Sequence, residues 1–87
     1  MIDIIYAPGF IRRYKKLNPH LKDEVKEKIE QFRHEDNHKA LKVHKLGGTL
    51  EDTFSFTVNY KIRIVFEYGK EKNTANLLLV GDHDGVY

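Results

Sequence analysis

Hydrophobic and polar residues alternate in several short stretches of the chain, which is the pattern of β-strands with one buried face. The stretch 1–6 alternates at the N-terminus, and 54–58 and 62–68 alternate in the second half. Residues 74–80 (TANLLLV) form a run apolar enough to lie inside a sheet. A further short strand is expected within 41–46, before two glycines. The pattern predicts one strand at the start and three or four near the end.

Between these strands the apolar residues recur at helical spacing. Pro8 suits the opening of a first helix, and Asn18-Pro19 provides an N-cap and a first helical residue for a second. The second helix is expected to end near Asp36-Asn37. The apolar stripes of the two helices consist of Phe10, Tyr14 and Leu17, then Leu21, Val25, Ile29 and Phe32.

The order of elements predicts an α+β fold. We expect an N-terminal strand, an α-helical hairpin, and then a three- to four-stranded antiparallel sheet packed on the helices. Residues 1–87 are too few for a second core, so a single domain is expected. One face of the sheet would be covered by the hairpin, and the other would be free to act as a working surface.

Composition limits the class of protein. The chain has no cysteine, which removes disulfides and thiolate metal sites, and no apolar run approaches the roughly 18 residues that cross a bilayer. No membrane association is expected, and the cytoplasm is the expected location. The formal net charge is +2, with an excess of lysine and arginine in residues 1–48 and of acidic residues in 49–87. A basic first half fits a polyanionic or acidic partner, or simply a solvated helix surface.

Four segments carry a resemblance to a known family. They are LKVHKLGG at 41–48, FSFTV at 54–58, YKIRIVFE at 60–67 and VGDHDGVY at 80–87. In this order and spacing they resemble the RelE/ParE superfamily of toxins from toxin–antitoxin systems, and the YafQ-like branch most. The resemblance covers essentially the whole chain, including the strand-helix-helix opening.

This resemblance implies a ribosome-associated messenger-RNA endonuclease that is neutralised by a cognate antitoxin. In such chemistry the ribose 2′-hydroxyl attacks the adjacent phosphate without a metal ion. The reaction needs a base, cations around the phosphorane charge, and an acid for the leaving oxygen. Two alternatives remain open: a ParE-like module that inhibits DNA gyrase by binding, and a catalytically decayed relative that binds only an antitoxin.

The resemblance also assigns roles to individual residues. His83 matches the C-terminal histidine and is the candidate general acid, since imidazole transfers protons near neutral pH. Arg63 matches an arginine that would hold the phosphate, and His44 could act as base or hold the phosphate. Lys45 would be a second cation beside His44, and Tyr87 would stack on or orient a nucleobase.

The match has departures. The YafQ pattern has a further histidine and aspartate where this chain reads Val58-Asn59-Tyr60, so the identity of the general base stays open. Arg63 instead follows the RelE- and YoeB-like pattern, although a simple ion pair with Glu67 or Glu51 is an alternative role for it.

One literal motif points to different chemistry. His34 to His38 reads H-E-x-x-H, the zinc-protease signature, which needs both histidines on one face of a stable helix and a third ligand. The segment lies where the second helix is expected to end, and no spaced third histidine follows. We interpret the motif as accidental and expect no metal or other cofactor.

Overall fold

A five-stranded sheet organises the residues described by the computed structural model, which are 1–47 and 52–82. The predicted α+β class is confirmed, with two helices inserted after the first strand. In chain order the elements are β1 (Asp3–Tyr6), α1 (Pro8–Lys15), α2 (Pro19–Phe32), a 3-10 turn (Glu35–Asn37), β2 (His44–Lys45), β3 (Phe54–Thr57), β4 (Ile62–Tyr68) and β5 (Thr74–Asp82).

The sheet is mixed rather than purely antiparallel. Its strand order is β1-β5-β4-β3-β2, in which β1 runs parallel to β5 and every other neighbouring pair is antiparallel. The sheet is therefore larger than the predicted three or four strands, because the N-terminal strand joins it at one edge. The expected strand within 41–46 is also present, but only as the two residues of β2.

The beginning of α2 confirms the predicted cap. The Asn18 side-chain oxygen accepts a hydrogen bond from the Leu21 amide at 2.8 Å, and Pro19 is the first helical residue. The helix ends at Phe32, earlier than expected. The His38 Nε2 atom, six residues later, lies 2.7 Å from the Phe32 carbonyl oxygen. Among the described residues, no helix is both long and apolar enough to cross a membrane.

The hydrophobic core lies between the helices and one sheet face. Its centre is an aromatic stack in which the Phe32 ring lies parallel to that of Phe56 at 4.4 Å and to the His38 imidazole at 4.7 Å. Phe66 contacts the Phe32 ring edge-on at 4.7 Å. An aromatic cluster at the centre of the core suits a short chain, because each ring buries a large apolar area.

A β-bulge in β5 sets which residues face this core. Val65 of β4 pairs with Leu79 and Phe66 pairs with Leu77, so Leu78 has no opposite residue. The extra residue lets both Leu77 and Val80 point into the core although they are three positions apart. Strict alternation would have placed them on opposite faces.

Candidate active site

The sheet face that points away from the core, which we call the second face, carries two rows of paired residues. Directly opposite residues on neighbouring strands share a face, so the register assigns each row to one side. His44 and Arg63 belong to neighbouring rows on this second face. The first row is His44, Ser55, Val65 and Leu79, and the next is Thr57, Arg63 and Gly81.

The second face is only partly open. Ser55 and Val65, at its centre, are 0% and 3% exposed, whereas His44 is exposed and Arg63 is half-buried. The face that was expected to be free is therefore closed at its centre. His44 on β2 and Arg63 on β4, on either side of β3, are among the polar side chains that remain accessible on this face.

His44 is held in one orientation by its own segment. Its Nδ1 atom lies 2.8 Å from the Lys42 carbonyl oxygen, which only accepts hydrogen bonds, so Nδ1 carries the proton. In the neutral ring the lone pair is then on Nε2, the atom that faces away from this contact. Lys42 presents its carbonyl from a left-handed backbone conformation with φ of 57°. The imidazole is thus arranged to accept a proton at a defined atom.

The Arg63 guanidinium bonds to the turn between β3 and β4. Its Nη1 donates to the Asn59 carbonyl at 2.6 Å and to the Ile62 carbonyl at 3.3 Å. Glu67 instead accepts a hydrogen bond from the Asn76 amide at 3.3 Å, and Glu51 lies outside the described residues. Arg63 and His44 therefore share a face, but the guanidinium points along β4 towards the turn and is not drawn to the imidazole.

The pairing of β2 with β3 places the side chains of Lys45 and His44 on opposite faces of the sheet. Lys45 pairs with Phe54, whose side chain packs against the core. Successive side chains in a strand point to opposite faces, so Lys45 lies on the core side and His44 does not. Its Nζ atom lies 3.9 Å from an Asp52 carboxylate oxygen, and both side chains are largely exposed. Such a surface pair contributes little stability. The Lys45 side chain therefore starts from the face opposite to that of His44.

The two C-terminal candidates, His83 and Tyr87, lie outside the described residues. The last described residue, Asp82, pairs with Ile62, and Gly81 pairs with Arg63. Strand β5 therefore ends at the same end of β4 from which Arg63 projects.

The H-E-x-x-H segment does not form one face of a helix. His34 precedes the 3-10 turn with an extended backbone, whereas His38 is half-buried and stacks on Phe32. Across residues 1–47 and 52–82, no three histidine or carboxylate side chains cluster in an arrangement that could hold a metal ion. The geometry gives this segment a packing role at the end of α2.

A separate apolar groove opens on the other side of the molecule, between β1 and the two helices. Its volume is ≈ 340 Å³, and Tyr6 and Ile11 at its mouth are 47% and 39% exposed. Partial burial raises the pKa of the Tyr6 hydroxyl above its ordinary value. Two lysines stand among the apolar walls. The lining residues are Tyr6, Phe10, Ile11, Tyr14, Lys15, Lys26 and Ile29.

The sequence pattern assigned no contact to residues 59–61, which lie between β3 and β4. The Asn59 carbonyl accepts a hydrogen bond from the Arg63 guanidinium. The Asn59 side-chain amide donates to Glu24 of α2 at 2.8 Å. The next residue, Tyr60, is 91% exposed. The available signal was an asparagine directly before an aromatic residue, between two predicted strands.

Comparison with known proteins identifies the fold. No family model matches the chain, and no curated protein matches it. Among solved structures, YafQ from Escherichia coli BL21(DE3) aligns at 16% identity over 100% of this chain and 99% of its own, with a TM-score of 0.73.

Two further solved structures are toxin–antitoxin complexes. A chain of the YoeB–YefM complex from Staphylococcus aureus aligns at 18% identity over 95% of this chain and 98% of its own, with a TM-score of 0.73. A chain of the RelBE complex from E. coli aligns at 18% identity over 94% and 96%, with a TM-score of 0.72. The chain thus has the fold seen in these structures, and the fold expected from the resemblance is confirmed.

Proposed function

We propose that this chain is the toxin of a toxin–antitoxin system and that it cleaves messenger RNA, associated with the ribosome, without a metal ion. The observation that carries the proposal is the presence of His44 and Arg63 on one face of a RelE-like sheet. The imidazole has a defined proton-accepting nitrogen, and the arginine is a permanent cation. These are two of the three chemical parts that metal-free RNA cleavage requires.

The reaction assigns one task to each group. His44 Nε2 accepts the proton of a ribose 2′-hydroxyl as its oxygen attacks the adjacent phosphorus. Arg63 leaves its carbonyl partners and binds the non-bridging oxygens, whose charge grows in the phosphorane. His83 donates a proton to the departing 5′-oxygen. The products are a 2′,3′-cyclic phosphate and a 5′-hydroxyl, and no water is consumed in this step.

The antitoxin is the second proposed partner. The groove lined by Tyr6, Phe10 and Ile11 offers an apolar surface with Lys15 and Lys26 among its walls. An amphipathic helix with acidic residues beside its apolar face would complement both features. The YoeB and RelE neighbours were solved as complexes with antitoxins. We therefore propose that the antitoxin of this chain, a cytoplasmic protein like the toxin, places such a helix in the groove.

The nuclease proposal is tested by inducing the chain in growing cells and mapping messenger-RNA ends. The wild type should produce new 5′-hydroxyl ends and arrest growth. His44→Ala, Arg63→Ala and His83→Ala should each reduce cleavage by about 10²- to 10⁴-fold. Lys45→Ala is the matched control, because Lys45 neighbours His44 in sequence but lies on the other face. It should cleave like the wild type.

Two results would contradict the proposal. Growth arrest with intact transcripts and altered DNA supercoiling would favour inhibition of gyrase. Cleavage that His44→Ala and His83→Ala both leave unchanged would show that neither histidine acts in the reaction.

A further inference from the structure

Tyr60, at the tip of the β3–β4 turn, is more exposed than any other large hydrophobic side chain among residues 1–47 and 52–82. Its exposure is 91%, compared with 68% for Met1 and 52% for Ile5. Single exposed apolar residues are common and need no explanation by themselves. The environment of this tyrosine is what distinguishes it.

The turn that carries Tyr60 is held from several directions. The Asn59 side-chain oxygen accepts hydrogen bonds from the amides of Lys61 and Ile62, both at 2.8 Å. The Asn59 side-chain amide donates to Glu24 on α2 at 2.8 Å, which ties the turn to the helical layer. Since the residues on both sides of Tyr60 are fixed, an aromatic contact at this tip costs little ordering of the backbone.

The residues around Tyr60 are polar and carry two cations and one carboxylate. Lys61 is exposed next to it, and the Arg63 guanidinium bonds to the Asn59 carbonyl at 2.6 Å. The nearby carboxylate of Glu24 is engaged by the Asn59 amide. A protein-docking hot spot normally lies in a well-packed, desolvated part of an interface, with neighbouring contacts that exclude water. An isolated aromatic face beside cations is instead the arrangement that binds single-stranded nucleic acid.

We infer that Tyr60 stacks on an unpaired base of the RNA while Lys61 contacts a neighbouring phosphate. This inference rests on the proposed function and deepens it, because it adds a substrate-positioning contact at the end of β4 nearest Arg63. A stacking residue accepts any base, since every base has a π-face. The contact would therefore hold the strand in register with Arg63 without selecting a sequence.

The test uses the purified full chain and a fluorescent single-stranded 2′-O-methyl oligoribonucleotide, which cannot be cleaved by 2′-hydroxyl attack. Tyr60→Ala should weaken binding by roughly 5- to 150-fold, whereas Tyr60→Phe and Tyr60→Trp should stay within about twofold of the wild type. Lys61→Ala should reduce the dependence of affinity on salt concentration. Lys70→Ala is its matched control, since Lys70 is an exposed lysine near the other end of β4.

Three results would overturn the inference: equal oligonucleotide binding by wild type and Tyr60→Ala, no measurable binding by the wild type, or a Tyr60→Ala defect in antitoxin binding alone. The outcome is separable from that of the nuclease proposal. His44→Ala should lose cleavage and keep oligonucleotide binding. If binding depends on Tyr60 but no variant cleaves RNA, the stacking contact stands and the nuclease proposal fails. If RNA is cleaved and Tyr60→Ala binds normally, only the stacking contact fails.

Discussion

His44 and Arg63 lie on the same face of the sheet with β3 between them: His44 pairs with Ser55, and Arg63 pairs with Thr57 two residues further along that strand. Standard strand spacing gives a separation of roughly 12 Å between their Cα atoms. Two long polar side chains at this separation can reach opposite sides of one phosphate group. The strands that carry them are fixed by backbone pairing, so only the side chains need to move when RNA binds.

Replacement of Arg63 by lysine should separate its proposed role in RNA cleavage from its contribution to the stability of the β3–β4 turn. Lysine keeps the charge but loses the planar pair of donors, so we expect RNA cleavage to fall by about 10²- to 10³-fold. The loss of the bond to the Asn59 carbonyl should lower the free energy of unfolding by only about 1 kcal/mol. Cleavage rates and urea denaturation measure the two effects. Wild-type cleavage by Arg63→Lys would show that the bidentate contact is not used.

The orientation of His44 should depend on the backbone of Lys42. A β-branched residue fits poorly at a φ of 57°, so Lys42→Val should lower the free energy of unfolding by about 1–2 kcal/mol. The same change should reduce cleavage, because the carbonyl that holds Nδ1 would move. Lys42→Gly is the matched control, since glycine adopts this conformation freely. If both variants are equally active and stable, the left-handed conformation at Lys42 has no role.

The sequence predicted those parts of the fold that depend on local pattern. The alternation in β3 and β4 and the cap at Asn18 are confirmed, because each follows from neighbouring residues alone. The parallel pairing of β1 with β5 was not predicted, since it depends on where the helices return the chain. The end of α2 was misplaced because His38, six residues later, binds the carbonyl of Phe32.

The candidate site was less predictable than the fold. Motif resemblance alone grouped His44 with Lys45, yet the pairing of β2 with β3 separates their side chains across the sheet. The faces of β5 could not be assigned either, because the bulge at Leu78 changes the alternation in the middle of an unbroken apolar run. Register and bulges arise from contacts between distant segments, which a local pattern does not encode.

The stability of the fold should depend strongly on Phe32. Its ring is fully buried between Phe56 and His38, with Phe66 at its edge, so truncation would leave a large cavity. Phe32→Ala should lower the free energy of unfolding by about 3–5 kcal/mol in chemical denaturation. Phe32→Leu fills part of the space and should cost clearly less. Equal losses for the two variants would contradict a close-packed aromatic centre.

Alkaline pH should destabilise the protein through two tyrosines. Partial burial raises the pKa of Tyr6, opposed by Arg33 and reinforced by Glu30, and burial together with Glu35 raises the pKa of Tyr68. A group with a raised pKa holds its proton more tightly in the folded state. Its stabilisation is therefore complete below the unfolded pKa of about 10 and is lost as the pH rises through the folded pKa.

The corresponding experiment compares wild type with a Tyr6→Phe, Tyr68→Phe double variant, which cannot ionise at either position. Unfolding free energies measured from neutral pH to above pH ~10 should fall more steeply for the wild type. At neutral pH the two proteins should differ by no more than about 1 kcal/mol, because both tyrosines are then protonated in the folded and unfolded states. Parallel pH profiles would mean that burial of these hydroxyls does not contribute to the alkaline limit of stability.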